Sequence, residues 1–123
     1  MAKHIALGQQ GEQIATEYLI QKGYQIVCRN WTHQKAEIDI IARSPDGNIT
    51  VFVEVKTRRS HRLGYPEQAV TRQKQRLLSL AAEAYIDAHA LQGAIRFDII
   101  AITLYDQQDT EIYHIEDAFF GFW

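Results

Sequence analysis

The sequence predicts a single α/β domain in which helices pack on a mixed five-stranded sheet, an α+β arrangement. Two stretches repeat apolar residues at helical spacing, short β-branched runs lie around them, and glycine or proline separates the elements. The predicted order is α-β-β-β-α-β-β, in which the second helix carries the chain from a three-stranded meander to the fourth strand. The length of 123 residues suits one domain with its own core, assigned to 1–123.

Breaker residues and periodicity set the predicted boundaries. Apolar spacing predicts a first helix from about residue 5 to 22, ended by Gly23, and alternation predicts a first strand at 24–31. Pro66 suits the start of the second helix, which runs to about His89. The other predicted elements are strands at 38–42 and 49–55, a basic loop at 57–65, and strands at 95–104 and 111–115.

Composition narrows the class of protein. Hydrophobic residues make up 46% and charged residues 23%, as in soluble globular domains. Because no apolar run approaches membrane-spanning length, we expect neither a signal peptide nor a membrane partner. Cys28 is the only cysteine, which excludes an internal disulfide and a cysteine-rich zinc site and favours a cytoplasmic location.

A turn signal at Ser44–Asn48 joins the second and third strands into a hairpin. A two-residue turn at Asp46-Gly47 or a four-residue loop at 45–48 pairs residues whose numbers sum to 93. A three-residue loop with a bulge at Gly47 would change that sum to 92. Face alternation favours the sum of 93, because it keeps one apolar row together. That row consists of Ile38, Ile40, Val51, Val53 and Val55.

The favoured register sets Asp39 opposite Glu54 and Glu37 opposite Lys56. Opposed Cβ atoms lie about 4.5–5.5 Å apart, so the two facing carboxylates would repel unless a proton or a cation came between them. Mg²⁺ or Mn²⁺ suits such oxygen ligands, and Lys56 would assist an attacking water or a phosphate. The alternative is an exposed Glu37–Lys56 ion pair beside solvated acids.

Charge is distributed unevenly along the chain, although the net charge is only −2. After Arg96 there is no lysine or arginine, whereas the window from Lys56 to Arg76 is basic and holds the single acid Glu67. This polarity predicts a face that binds a polyanion; the alternative is an ordinary solvated surface. The candidate nucleic-acid-binding residues are Arg58, Arg59, Arg62, Arg72, Lys74 and Arg76.

The first helix carries a further candidate, Glu12, which either reaches the acid cluster or is exposed. Gly8 and Gly11 are unfavourable in a helix by about 1 kcal/mol each, which indicates close approach to another backbone or to phosphate, unless Gly8 marks a frayed start. Asp98 is expected to pair with a base such as Arg96.

The aromatic tail from Ala118 to Trp123 is expected to close the core, with a dimer or partner contact as the alternative.

Asp39 followed by Glu54-x-Lys56 on the next strand resembles the PD-(D/E)xK nuclease signature. A longer series of residues is similar to the YraN-like family, small bacterial proteins that resemble archaeal Holliday junction resolvases. That series consists of Gly11-Glu12, Tyr24, Arg29-Asn30, Glu37 to Ala42, Phe52 to Arg58, Ala69-Val70, Lys74 and Arg96 to Asp98.

The resemblance implies a restriction-endonuclease-like fold with Asp39 and Glu54 as ligands of Mg²⁺ or Mn²⁺. It implies that Lys56 is the catalytic lysine and that Glu12 is the helix-borne acid; we include Glu37 among the catalytic candidates. Two departures are Ile38, where the signature has proline, and Ala36, where the family usually has glycine. Neither change removes a reacting group.

Together with the resemblance, these features predict a metal-dependent endonuclease that prefers branched or single-stranded substrates, with DNA favoured over RNA. A homodimer is one option for its assembly. The alternative is a nucleic-acid-binding module of the same fold without turnover.

Overall fold

The computed structural model describes residues 3–59, 70–105 and 109–121, with side chains from Leu7 onward. The predicted order of elements is confirmed. The sheet runs β1-β2-β3-β4-β5, with β3 and β4 parallel and the other neighbours antiparallel. The elements are α1 (Lys3–Gln21), β1 (Gln25–His33), β2 (Ala36–Arg43), β3 (Ile49–Arg58), α2 (Arg72–Ala88), β4 (Ala94–Leu104) and β5 (Thr110–Phe119).

Local residues stop α1 and start α2. Gly23 has φ of +94° just beyond α1, and its amide and that of Tyr24 bond back to the last carbonyls of the helix. At α2, the Thr71 hydroxyl accepts a hydrogen bond of 3.2 Å from the Lys74 amide. The predicted start of this helix at Pro66 is wrong, because the extended Thr71 caps a helix that begins at Arg72; Pro66 itself lies outside the described residues.

Two strands are longer than the pattern predicted. β3 continues through Thr57 and Arg58, where a loop was expected, because both residues pair with β4. β5 continues from the expected end at Ile115 to Phe119 across an irregularity in its pairing with β4. Tertiary partners extend these strands beyond their local sequence signals.

The hairpin register is the one the sequence favoured. Pairs from Ile40↔Val53 to Arg43↔Thr50 all sum to 93. The Ser44 amide bonds to the Ile49 carbonyl at 2.9 Å, which closes the four-residue loop, and Gly47 adopts φ of +79°. The regular ladder ends at Ile40↔Val53, so Asp39 and Glu54 lie just beyond it.

Two cores lie on opposite faces of the sheet. The α1-side core includes Leu19, Ile40 and Val53, and the α2-side core includes Phe52 and Leu78. The predicted apolar row is wrong at one position: Ile38 packs in the α2-side core, although Ile40, Val51, Val53 and Val55 share the other.

The aromatic tail is described only as far as Gly121. Phe119 stacks on Phe97 with ring centroids 4.8 Å apart and packs on the α2-side core, as expected for a closing segment. Phe120 is 83% exposed. Phe122 and Trp123 lie outside the described residues.

Asp98 is the centre of a buried polar network, and its predicted pairing with Arg96 is confirmed. Arg96 donates to both carboxylate oxygens at 2.8 and 2.9 Å, and His114 Nε2 lies 2.7 Å from Oδ2. The Asp117 amide donates at 3.0 Å. Burial alone would raise the pKa of Asp98, but the bonds from His114 and Arg96 and this amide hold it below its usual range. The network ties β5 to β4 where their pairing is irregular.

We expect Asp98→Asn to lower the free energy of unfolding by about 3 kcal/mol, because it removes the buried anion of the half-buried Arg96 and leaves it with the exposed Glu116 at 3.6 Å. Urea unfolding at pH 7 measures the change. Because the folded pKa is depressed, the stabilisation is present above the ordinary pKa and is lost as the pH falls, so the two proteins should converge in acid. The exposed Asp87→Asn is the control; an equal effect there would contradict this assignment.

Candidate metal centre

The candidate site is a cleft where β2 and β3 diverge. β2 pairs with β1 as far as Ala36, whereas β3 beyond Val53 pairs with β4. The N-terminal half of α1 borders the gap between the two strands, and the resulting cleft has a volume of about 370 Å³. It is lined by Leu7, Gly8, Glu12, Asp39, Glu54, Val55, Lys56 and Thr57.

Asp39 bridges the two diverging strands through its side chain. Its Oδ2 accepts a hydrogen bond of 2.8 Å from the Val55 amide, in place of a backbone acceptor on β2. The residue is only 9% exposed. Burial and the nearby Glu54 charge raise the pKa of Asp39 to about 8 against the lowering effect of the Val55 amide; Glu12 and Glu37 add smaller rises.

Glu54 is 5% exposed and meets two amines. Lys56 Nζ lies 3.5 Å and Lys74 Nζ lies 3.7 Å from the same oxygen, Oε2. Lys74 was predicted only as part of the basic face, but α2 brings it to the acid cluster. Its place in the first turn of the helix, straight after the Thr71 cap, is the one sequence signal that could have indicated this role.

Glu12 reaches the cleft from α1, which decides between its two predicted placements. Its Oε1 accepts a hydrogen bond of 3.0 Å from Asn30 Nδ2 and lies 3.7 Å from Arg29 Nη2. Asn30 belongs to the residue series shared with the family, but that series assigns it no role.

The two glycines of α1 differ in their surroundings. An added Cβ at Gly11 would collide with the Thr57 side chain, so another group does approach closely there, although it is a side chain and not the backbone or phosphate that the sequence predicted. The same atom at Gly8 would meet nothing within 4 Å and would project toward the cleft that Gly8 lines. Gly8 lies inside the helix, so it does not mark a frayed start.

Several predicted site residues do not line the cleft. Glu37 is exposed and pairs with Thr32 of β1, and the amine of Lys56 contacts Glu54 rather than Glu37. The alternative of solvated acids on an open sheet face is wrong, because Asp39 and Glu54 are buried. Of the basic candidates besides Lys74, Arg58 is half-buried, Arg59, Arg72 and Arg76 are exposed, and Arg62 lies outside the described residues.

The donor set fits a hard divalent cation. Asp39 and Glu54 offer oxygen atoms only, and a cation between them would relieve the repulsion that raises the pKa of Asp39. Within residues 3–59, 70–105 and 109–121, no three acidic, histidine or cysteine side chains meet as a ready-made ligand set. Mg²⁺ is commonly held by one or two carboxylates and completes its shell with water and phosphate, so two ligands suffice.

The fold and the cleft together define a mixed α/β domain with a buried acid pair at a strand fork. The profile of the uncharacterised protein family UPF0102 matches residues 11–102, which include the four charged residues of the cleft and Lys74. The chain belongs to this family.

Relatives cover nearly the whole chain. A UPF0102 protein of Flavobacterium psychrophilum is 48% identical over 99% of this chain and 100% of its own length. One of Thermodesulfovibrio yellowstonii is 45% identical over 94% of this chain and 97% of its own length. One of Christiangramia forsetii is 43% identical over 99% of this chain and 100% of its own length.

In the part of the chain that the structure describes, no helix has the length and apolarity needed to cross a membrane.

We expect opposite effects from alanine at the two glycines. Gly11→Ala should lower the free energy of unfolding by about 1–3 kcal/mol, because Thr57 must move, whereas Gly8→Ala should raise it by up to about 1 kcal/mol through helix propensity. Chemical denaturation of the two variants measures both changes. A stabilising Gly11→Ala would contradict the close approach of α1 to β3, and a destabilising Gly8→Ala would contradict the open space beside that glycine.

We expect Asp39 to make stability depend on pH in the absence of metal. The unfolded chain ionises this group near its ordinary pKa of 3.8, whereas the folded chain holds the proton to about pH 8. Its contribution is therefore fully present below about pH 4 and is lost as the pH rises to 8. The stability of Asp39→Asn relative to wild type should increase from pH 5 to pH 8 when urea unfolding is followed in a chelator. The exposed Asp109→Asn is the control; a difference independent of pH would contradict the raised pKa.

Proposed function

We propose that this protein is a divalent-metal-dependent endonuclease that hydrolyses DNA phosphodiester bonds and prefers branched or single-stranded substrates. One observation carries the proposal: Asp39, Glu54 and Lys56 line a single cleft between diverging strands. This set resembles the PD-(D/E)xK nuclease signature. The similarity of the YraN-like proteins to archaeal Holliday junction resolvases supports branched DNA as the substrate and the cytoplasm as the location.

The residues of the cleft have separate parts in the proposed reaction. Asp39 and Glu54 would hold Mg²⁺ or Mn²⁺, and Asp39, whose pKa burial and Glu54 raise to about 8, would release its proton to the solvent on binding the cation. The bound ion supplies Lewis-acid polarisation of the phosphate. The Lys56 amine, half-exposed at the mouth of the cleft, orients the attacking water or stabilises charge that develops on the phosphate.

Charge around the cleft favours a phosphate ligand. Two ammonium groups share one carboxylate at Glu54, while Arg29 lies against Glu12. With Asp39 protonated at neutral pH, the groups around Glu54 carry an excess of positive charge. A phosphodiester would meet this excess before any cation binds.

The exposed arginines beyond the cleft would hold the DNA backbone. Arg59 follows β3, and Arg72 and Arg76 lie on the helix that carries Lys74. Contacts to phosphate position a nucleic acid but do not select its sequence. The shape of the DNA therefore decides where it is cut. Cutting both strands of a junction would require a second copy of the chain.

We expect the purified protein to cleave junction, flap or single-stranded DNA when Mn²⁺ or Mg²⁺ is present. Asp39→Asn and Lys56→Gln should each reduce the rate by about 100-fold or more, because each removes a group that acts on the phosphate or its ion. Labelled substrates resolved on denaturing gels measure the rate, and a chelator should abolish it.

Lys35→Gln, on the turn between β1 and β2, is the matched control and should cleave like wild type. Cleavage that persists in both site variants would indicate a contaminating nuclease and defeat the proposal. Binding that weakens with salt, without cleavage under any metal condition, would instead support a binding module without turnover.

A further inference from the structure

Asn30 has an unusual backbone conformation in the middle of β1. Its φ is +56°, and a left-handed conformation costs on the order of 1 kcal/mol in a residue with a Cβ, although asparagine tolerates it better than most. Pairing of β1 with β2 includes Arg29↔Ile40 and Trp31↔Ile38 but omits Asn30 and Asp39. The left-handed residue therefore interrupts β1 directly across from Asp39.

The interruption changes the direction of side chains on β1. Adjacent strand residues normally face opposite sides of a sheet. Here both Arg29 and Asn30 contact α1, through Gln13 at 3.2 Å and Glu12 at 3.0 Å respectively. The next residue, Trp31, returns to the α2-side core.

The same change occurs across the ladder on β2. Ile38 and Ile40 would share a face in a regular strand, yet they pack in opposite cores. Asp39, between them, lines the cleft together with Gly8 and Glu12 of α1. The paired interruption at Asn30 and Asp39 thus lets this acid reach the α1 side.

We infer that Asn30 is a positioning residue for the acidic cleft, acting on two carboxylates. Its left-handed backbone lies across the ladder from the point where β2 changes its side-chain direction and Asp39 faces α1. Its side-chain amide holds the Glu12 carboxylate in place. The amide and Arg29 both contact Oε1 of Glu12, so neither takes the second oxygen of that carboxylate. This inference rests on the proposed function and adds to it that a fixed negative charge at Glu12, which lines the same cleft, faces the cation.

Asn30→Gly separates the two roles, because glycine keeps the left-handed backbone and loses only the amide. We expect it to weaken Mn²⁺ binding, followed by titration calorimetry on the full chain, and to slow cleavage by about 10-fold or more. In a Glu12→Gln background the same change should have an effect of less than about threefold, because the carboxylate it acts on is absent. Asn30→Val removes the amide and also disfavours the left-handed backbone conformation. Its reduction of Mn²⁺ binding and cleavage should therefore persist in the Glu12→Gln background.

Gln34→Gly is the matched control, since Gln34 also has φ of +56° but lies in the turn beyond β1 and outside the cleft lining. The inference is overturned if Asn30→Gly binds Mn²⁺ and cleaves like this control, or if it reduces both as much in the Glu12→Gln background as without it. In either case, binding and cleavage by the wild-type protein would leave the proposed function intact. If wild type neither binds Mn²⁺ nor cleaves, the proposed function fails and the inference fails with it.

Discussion

The hydrogen bond from the Val55 amide to the Asp39 carboxylate is the contact on which the cleft depends. At this point β2 leaves β3, and an unpaired amide on a buried strand would cost free energy comparable to a lost hydrogen bond. A side chain supplies the acceptor that the departing backbone no longer provides. The same bond therefore satisfies the strand and holds an acid at the opening between the strands.

The buried charges of the cleft are only partly compensated. Glu54 has two amines within 4 Å. Asp39 has one amide donor among its described contacts, and burial together with three acidic neighbours raises its pKa. Asp98, on β4 beside Val53, shows the opposite balance: three donor groups surround it and, despite its burial, its pKa is lowered. One buried acid is thus satisfied by protein alone, and the other is left with capacity for a proton or a cation.

Much of the fold could be predicted from sequence. Gly23 indicated the end of the first helix, and the Ser44–Asn48 turn indicated the hairpin loop. The alternation of Val51 to Val55 indicated the register. All three signals act locally. The helix start at Arg72 and the extra length of β3 were missed. The first depends on a weak capping signal, and the second depends on pairing with a distant strand.

The contacts of the candidate site also fall into two groups, those that the sequence could predict and those that it could not. Turn length and face alternation set the hairpin register, so the residue pattern was enough to predict that Asp39, Glu54 and Lys56 lie near one another. Only the folded chain shows that Asp39 turns toward α1, that Lys74 reaches Glu54 from α2, and that Asn30 holds Glu12. These contacts join residues far apart in the chain or depend on a left-handed residue within a strand. Neither periodicity nor propensity carries that information.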